Sequence, residues 1–218
     1  MSSIEHNPAE AITHTVICLH GLGASGSDLL PIAKQLNLPG VRFVFPSAKE
    51  ISVTLNQGYR MPAWYDIKSM HFSSEFRSDH KGVDEACETV KALIADEQAA
   101  YGLGTEAIFL MGFSQGGSIA LELGLHYTKK LAGIIGLSTL PAKGMKTFEG
   151  MSSENEATSI FLAHGSQDQV VPFSVGELLV KQLKERPLTS HCYPMGHEIC
   201  QQELLDIKQY LRGQTCNH

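Results

Sequence analysis

The stretch Ala107-Ile108-Phe109-Leu110-Met111-Gly112-Phe113-Ser114-Gln115-Gly116-Gly117-Ser118-Ile119-Ala120-Leu121 decides the fold. Its first five residues form an apolar run of strand length. From Gly116 to Leu125 the chain is apolar nearly all round, the pattern of a buried helix. Between the two lies Gly112-Phe113-Ser114-Gln115-Gly116, the single G-x-S-x-G of the sequence. Composition alone predicts about 0.16 such matches, so the pentapeptide is modest evidence by itself. Its strand-turn-helix setting gives it weight. A serine on so tight a turn has a strained backbone that lifts its hydroxyl clear of the sheet. Glycines on either side supply the clearance, and Gly117 extends it into the first helical turn. The helix N-terminus behind the serine favours developing negative charge. The bland alternative is a glycine-rich turn that merely joins a strand to a helix.

Outward from this turn the chain alternates short apolar runs with helical periodicity, which predicts an α/β fold with a mostly parallel central sheet flanked by helices. Val16 to Leu19, Ala107 to Met111, Leu131 to Leu137 and Ile160 to Ala163 read as strands buried on both faces. Val41 to Phe45 and Leu188 to Tyr193 are more mixed in polarity, and the second reads as lying near an edge. Helical stripes run through Val83, Ala86, Cys87, Val90, Leu93 and Ile94, through Val175, Leu178, Leu179 and Leu183, and through Cys200, Leu204, Ile207 and Leu211. No linker, repeat or low-complexity segment divides the chain, so residues 1–218 read as one domain, with 1–10 a flexible N-terminal segment. Residues 47–81 lack a clean period and are dense in aromatics, which marks either a functional loop or small unrecognised elements.

A serine hydroxyl needs a base to take its proton as it attacks. On this type of turn an acid and then a histidine follow the nucleophile along the chain. Asp168 lies just past the run Ile160 to Ala163, on the rim beyond the carboxyl ends of the strands. A turn aspartate ahead of the next helix is its alternative reading. Of the histidines beyond it, His191 falls inside a predicted strand and His218 is the last residue. His197, in Pro194-Met195-Gly196-His197-Glu198, occupies a loop on the same rim and is the candidate base; a polar residue near a helix start is the alternative. His20 and His164, each before a glycine, read as structural hydrogen-bonders.

Acyl transfer also needs donors for the oxygen of the tetrahedral intermediate. The Gln115 N–H, next after the nucleophile, is one candidate. The Leu22 N–H, in His20-Gly21-Leu22-Gly23-Ala24-Ser25-Gly26 after the first buried strand, is the other. That loop is neither G-x-G-x-x-G nor a P-loop, which argues against nucleotide binding. No convergent ligand spacing suggests a metal, and no cofactor is expected.

The formal net charge of −6 and the absence of any long basic run argue against a nucleic-acid partner. Five cysteines with no C-x-x-C pair fit free thiols in a reducing compartment. The residues from Met1 to Glu10 lack the apolar core of a signal peptide, and no apolar run is long enough to span a bilayer. The expectation is a cytoplasmic protein.

The assembled motifs resemble the phospholipase/carboxylesterase family of α/β-hydrolases, which includes acyl-protein thioesterases and bacterial carboxylesterases. The resemblance covers almost the whole chain. It rests on His20-Gly21-Leu22-Gly23, Val53 to Gly58, Met61-Pro62-Ala63-Trp64-Tyr65-Asp66-Ile67, Gly112 to Gly116, His164 to Pro172 and Met195-Gly196-His197. It implies the α/β-hydrolase fold, a triad of Ser114, Asp168 and His197, and an oxyanion hole of the Leu22 and Gln115 amides. It also implies hydrolysis of esters or thioesters with an apolar acyl group, taken from a small ester, a lysophospholipid or an acylated protein. Met61, Trp64, Phe72 and Phe113 are candidates for the acyl-binding wall, although aromatics in such a segment more often form a small core. Ala24 stands where family members often have aspartate, and residues 68–78 fit no family pattern. A non-catalytic binding module on the same fold is the rival reading, against which the intact triad set argues. Apolar residues around the cleft leave a homodimer contact and a lipid-facing surface both open.

Overall fold

A computed structural model describes residues 2–69 and 79–215. In chain order its elements are β1 (Ser3–His6), β2 (His14–Leu19), α1 (Gly26–Leu36), β3 (Val41–Pro46), β4 (Glu50–Val53), β5 (Tyr59–Pro62), α2 (His80–Tyr101), β6 (Ile108–Phe113), α3 (Gln115–His126), β7 (Gly133–Leu137), β8 (Ile160–Gly165), α4 (Phe173–Leu183), β9 (Leu188–Tyr193) and α5 (Gln201–Thr215). Seven strands form one sheet in the order β1-β3-β2-β6-β7-β8-β9, parallel except for β1. β4 and β5 make a separate hairpin.

Strand periodicity assigns the two faces. On β2, Val16 and Cys18 point into the layer beneath α1 and α5, while Ile17 and Leu19 point into the layer beneath α2 and α3. α4 packs beside α3, with Leu179 and Leu183 against Leu121, Leu125 and Ile160. Because both faces are covered, β2, β3, β7 and β8 are buried along their whole length. β9 carries the mixed exposure of an edge strand, as its polarity suggests. From β2 the chain steps to β3, then returns to β6 on the other side of β2. The connections leaving β2 and β6 therefore diverge to opposite faces, and a crevice opens between their carboxyl ends.

Two elements, β1 and α1, were not anticipated, and a third, β3, is the expected strand with its polarity explained. Within the N-terminal segment, residues 3–6 form a strand: β1 pairs antiparallel with β3 from Ser3↔Pro46 to His6↔Phe43. Its sequence gave no burial signal because most of it is exposed and its order comes from pairing. The mixed polarity of β3 comes from Arg42, which is 2% exposed. Its guanidinium forks onto Glu97 of α2 at 2.9 and 3.1 Å and reaches Glu5 of β1 at 3.0 Å, a buried charge matched by carboxylates. α1 was not anticipated at all. Its Ser25 N–H donates to Asp28 Oδ2 at 2.7 Å, a capping contact, and Leu29, Ile32, Ala33 and Leu36 form its buried stripe.

Within α5, Glu203 is fully buried, and neither carboxyl oxygen has a hydrogen-bond partner among the described residues. Burial pushes its pKa from 4.5 up to about 8. The folded state thus holds a proton that the unfolded chain has lost, so the contribution to stability is complete below pH 4.5 and fades as pH rises towards 8. Glu203→Gln keeps the shape without the charge. Its stability advantage over wild type in urea melts is expected to open between pH 5 and 8, reaching on the order of 3 kcal/mol. An advantage that stays constant across that range would show Glu203 to be ionised in the folded protein.

Candidate active site

Ser114 sits between β6 and α3 with φ 52° and ψ −119°, a conformation that L-residues rarely adopt. Close packing imposes it. A Cβ on Gly112 would lie 2.3 Å from the Gly116 backbone, and one on Gly116 would lie 2.1 Å from the Leu19 carbonyl oxygen. The Ser114 N–H donates to the Leu137 carbonyl at 2.9 Å, and the Thr139 hydroxyl donates to the Ser114 carbonyl at 2.7 Å. These bonds to the connection after β7 hold the strained turn in place.

The two residues singled out beyond Ser114, Asp168 and His197, lie in a row beside it. His197 Nε2 lies 2.9 Å from Ser114 Oγ, and His197 Nδ1 lies 2.7 Å from Asp168 Oδ2. A carboxylate only accepts, so the Nδ1–H donates to Asp168 and Nε2 is left to accept from the serine hydroxyl. Asp168 is fixed in turn, its Oδ1 accepting from the Val170 and Val171 N–H groups at 2.8 and 2.9 Å. The loops bearing Asp168 and His197 are laced together by the Gln167 N–H donating to the Met195 carbonyl at 3.0 Å. The Phe113 ring packs on the His197 ring, with centroids 4.7 Å apart.

The oxyanion-hole candidates flank this group. Gln115 opens α3, so its N–H has no intrahelical acceptor. Its side chain clamps the neighbouring segment instead, Oε1 accepting from the Trp64 N–H and Nε2 donating to the Tyr65 carbonyl. His20 orients the other candidate. Its Nε2 accepts from the Ala48 N–H at 2.9 Å, which places the ring proton on Nδ1, and Nδ1–H donates to the Gly21 carbonyl at 2.7 Å. Across a trans peptide the Leu22 N–H points away from that carbonyl. Burial holds the His20 pKa below its usual value, consistent with the neutral ring these bonds require.

Ser114, Gln115, Leu22 and His197 line a cavity of about 600 Å³, a size suited to a small-molecule ligand. Its apolar walls come from Leu29 and Ile32 of α1, Phe113, Leu140 and Ile199, with Leu55 and Ile67 from the stretch around the hairpin. Of the three acyl-wall candidates among the described residues, Phe113 is the one that belongs to this lining. Trp64 is buried behind the Leu22 loop, its indole N–H donating to the His20 carbonyl at 2.8 Å. With Tyr65 and Ile67 it belongs to the main core layer beneath α2 and α3. Met61 is half-buried outside the cavity, with its sulfur near Gly23. Phe72 lies outside the described residues. Leu29, Ile32 and Ile199 were missed, and the recurrence of Leu29, Ile32 and Leu36 at helical spacing was the available signal for the first two. Ala24 lines the cavity without the carboxylate that the resemblance leads one to expect there.

The doubly covered parallel sheet, with a strained serine turn at the carboxyl end of a central strand, defines an α/β-hydrolase. The chain belongs to the phospholipase/carboxylesterase family, whose model matches residues 2–215, and is thereby a carboxylic-ester hydrolase. It is 36% identical over 232 residues to acyl-protein thioesterase 1 of Cryptococcus neoformans, an alignment covering 96% of this chain and 97% of that protein. Acyl-protein thioesterase 1 of Yarrowia lipolytica is 37% identical over 215 residues, covering 94% and 93%. Among solved structures, Arabidopsis thaliana SOBER1 superposes with a TM-score of 0.84 at 32% identity, covering 93% of this chain and 99% of that one. Among the described residues, no helix is long and apolar enough to cross a membrane.

Proposed function

We propose that the protein hydrolyses carboxylic esters and thioesters of apolar acyl groups through an acyl-enzyme on Ser114. The observation that carries this reading is the hydrogen-bond chain Ser114–His197–Asp168 at the edge of an apolar cavity. Ser114 Oγ attacks the acyl carbon while His197 Nε2 takes its proton, and the carbonyl electron pair moves onto oxygen. The Leu22 and Gln115 amides stabilise that oxyanion, and each such donor is worth about 10²- to 10³-fold in rate. When the pair returns, the bond to the leaving alkoxide or thiolate breaks and His197 gives that group its proton. Water then attacks the Ser114 ester, losing a proton to His197, and the collapse that frees the carboxylic acid returns the proton to Ser114 Oγ. Asp168 orients the imidazole and stabilises its cation throughout.

An acyl chain would extend from Ser114 along Phe113, Leu29, Ile32 and Ile199. Relatives named acyl-protein thioesterase favour an acylated protein as a substrate, with lysophospholipids and small esters sharing the same chemistry. The free thiols of Cys18, Cys87, Cys192 and Cys200 support a place in the cytoplasm.

The test is turnover of p-nitrophenyl esters and matched thioesters from acetyl to palmitoyl, before and after treatment with an alkyl fluorophosphonate. Turnover on both series, lost in proportion to a phosphonyl adduct mapped to Ser114 by mass spectrometry, is the expected result. Turnover that survives complete modification of Ser114, or an adduct on another residue, would overturn the proposal.

A further inference from the structure

The hydrogen bonds around Asp168 continue one step beyond the triad. We propose that His164 is a positioning residue for the reaction, setting the angle at which Asp168 meets His197 by clamping Val171; this rests on the triad proposed above. The two N–H donors on Asp168 Oδ1 fix the carboxylate only as firmly as the Val170–Val171 segment is itself held. Val171 is gripped from both sides. Its N–H donates to Asp168, and its carbonyl accepts from His164 Nε2 at 2.8 Å.

The His164 ring cannot swing away from this task. It is 5% exposed at the carboxyl end of β8, with the Phe173 ring edge-on at 6.1 Å. α4 presses on it so closely that a Cβ on Gly176 would lie 2.7 Å from His164 Nδ1. A carbonyl partner requires the proton on Nε2, which leaves Nδ1 bare against Gly176.

The ring is also kept neutral. Burial pulls its pKa down and the nearby charge of a protonated His197 adds to that, against the opposing effects of the Val171 carbonyl and Asp168. Neutrality matters, because His164 Nε2 lies 3.6 Å from Asp168 Oδ2, the oxygen that serves His197. At that distance it makes no hydrogen bond. A charged ring there would compete with the His197 imidazolium for the same carboxylate. A neutral donor aimed at Val171 fixes the loop and leaves the full negative charge for His197.

Three variants test the role. His164→Gln places an N–H donor near the position of Nε2. His164→Leu keeps the bulk but has no donor. Gly176→Ala keeps every hydrogen-bonding group and pushes the ring through the added methyl. Displacing a catalytic group by about 1 Å costs on the order of 10²-fold. For a p-nitrophenyl ester, His164→Leu is therefore expected to lower kcat about 10- to 100-fold with KM within about twofold of wild type. The acid limb of its kcat/KM profile should move to lower pH, because a misdirected carboxylate favours the imidazolium less. His164→Gln should stay within about fivefold of wild type, and Gly176→Ala should lower kcat with the same KM and pH signature.

Equal activities for the Gln and Leu variants, an effect confined to KM, or an unmoved acid limb would each overturn the proposal. If His164→Leu does not fold, Gly176→Ala and His164→Gln decide it by the same readouts. Asp168→Asn separates the two levels of inference. If it is inactive while the folded His164 variants behave as wild type, the role of His164 alone fails. If it retains wild-type activity, the triad and the role of His164 fall together.

Discussion

Ser114→Ala is expected to lower ester turnover by about 10⁴- to 10⁶-fold while the protein stays folded. The hydroxyl contributes little to the fold. Its recorded partner is His197 Nε2, whereas the bonds that hold the turn, to the Leu137 carbonyl and from the Thr139 hydroxyl, belong to the Ser114 backbone. Alanine leaves those in place. On the proposed mechanism no acyl-enzyme forms without Oγ, and the imidazole has nothing to deprotonate except water. Residual rate then comes from the cavity and the oxyanion donors alone. On that mechanism serine and histidine act as a unit, so adding His197→Ala to Ser114→Ala should cost almost nothing more. Steady-state release of p-nitrophenol, with folding matched by circular dichroism, measures both. An alanine variant retaining more than about a hundredth of wild-type activity would remove Ser114 from the mechanism.

Gly116→Ala is expected to have the largest effect on stability, a loss above about 4 kcal/mol, which approaches the whole stability of many domains of this size. The methyl would meet the Leu19 carbonyl oxygen at 2.1 Å, its carbon at 2.4 Å and the His20 carbonyl oxygen at 2.5 Å. All three are backbone atoms at the end of a central strand, so relief requires moving α3 off the sheet, not turning a side chain. The same change at Gly213 is the control. That residue lies in α5, nothing stands within 4 Å of its added Cβ, and alanine there should gain up to about 1 kcal/mol from helix propensity. Urea denaturation of both variants reads the contrast. Native-like stability in Gly116→Ala would mean that the contact between elbow and strand is looser than described.

The parts of the site that were legible in the sequence are those where chemistry or sterics tolerates few residue types. The elbow could be read because a strained serine needs glycine on both sides, and because its flanking strand and helix are buried enough to be apolar. Asp168 could be read because it follows a buried strand, and His197 because it follows the edge strand and the order along the chain is constrained. Elements whose order comes from a distant partner were not legible. β1 is a mostly exposed Ser-Ile-Glu-His segment that becomes a strand only by pairing with β3, forty residues away in the sheet register. Arg42 made β3 look half-polar, and only the fold reveals Glu97 and Glu5 around it. α1 carries Pro31 within its length, which weakens any helical reading of its apolar stripe. The acyl wall was the hardest part. Trp64 has the right size, but its indole N–H needs a buried acceptor, and the His20 carbonyl draws it behind the site instead of into it. The apolar residues that do line the cavity come from α1, the stretch around the hairpin, the elbow, the connection after β7 and the segment after β9, and no local pattern joins them.

Synthesis proceeds from the amino terminus, and folding can begin before it ends. Of the strands around the serine turn, β3, β2 and β6 have been made once residue 113 is in place, and the Leu137 and Thr139 groups that hold the turn follow with β7, well before β9. The proposed base lies 83 residues beyond Ser114, after the strand that completes the far edge of the sheet. A nascent chain, or one cut short before β9, would thus carry a formed elbow with no imidazole to activate it. On the proposed mechanism the hydrolase would stay silent until β9 docks, so the topology that builds the site would also time its first turnover.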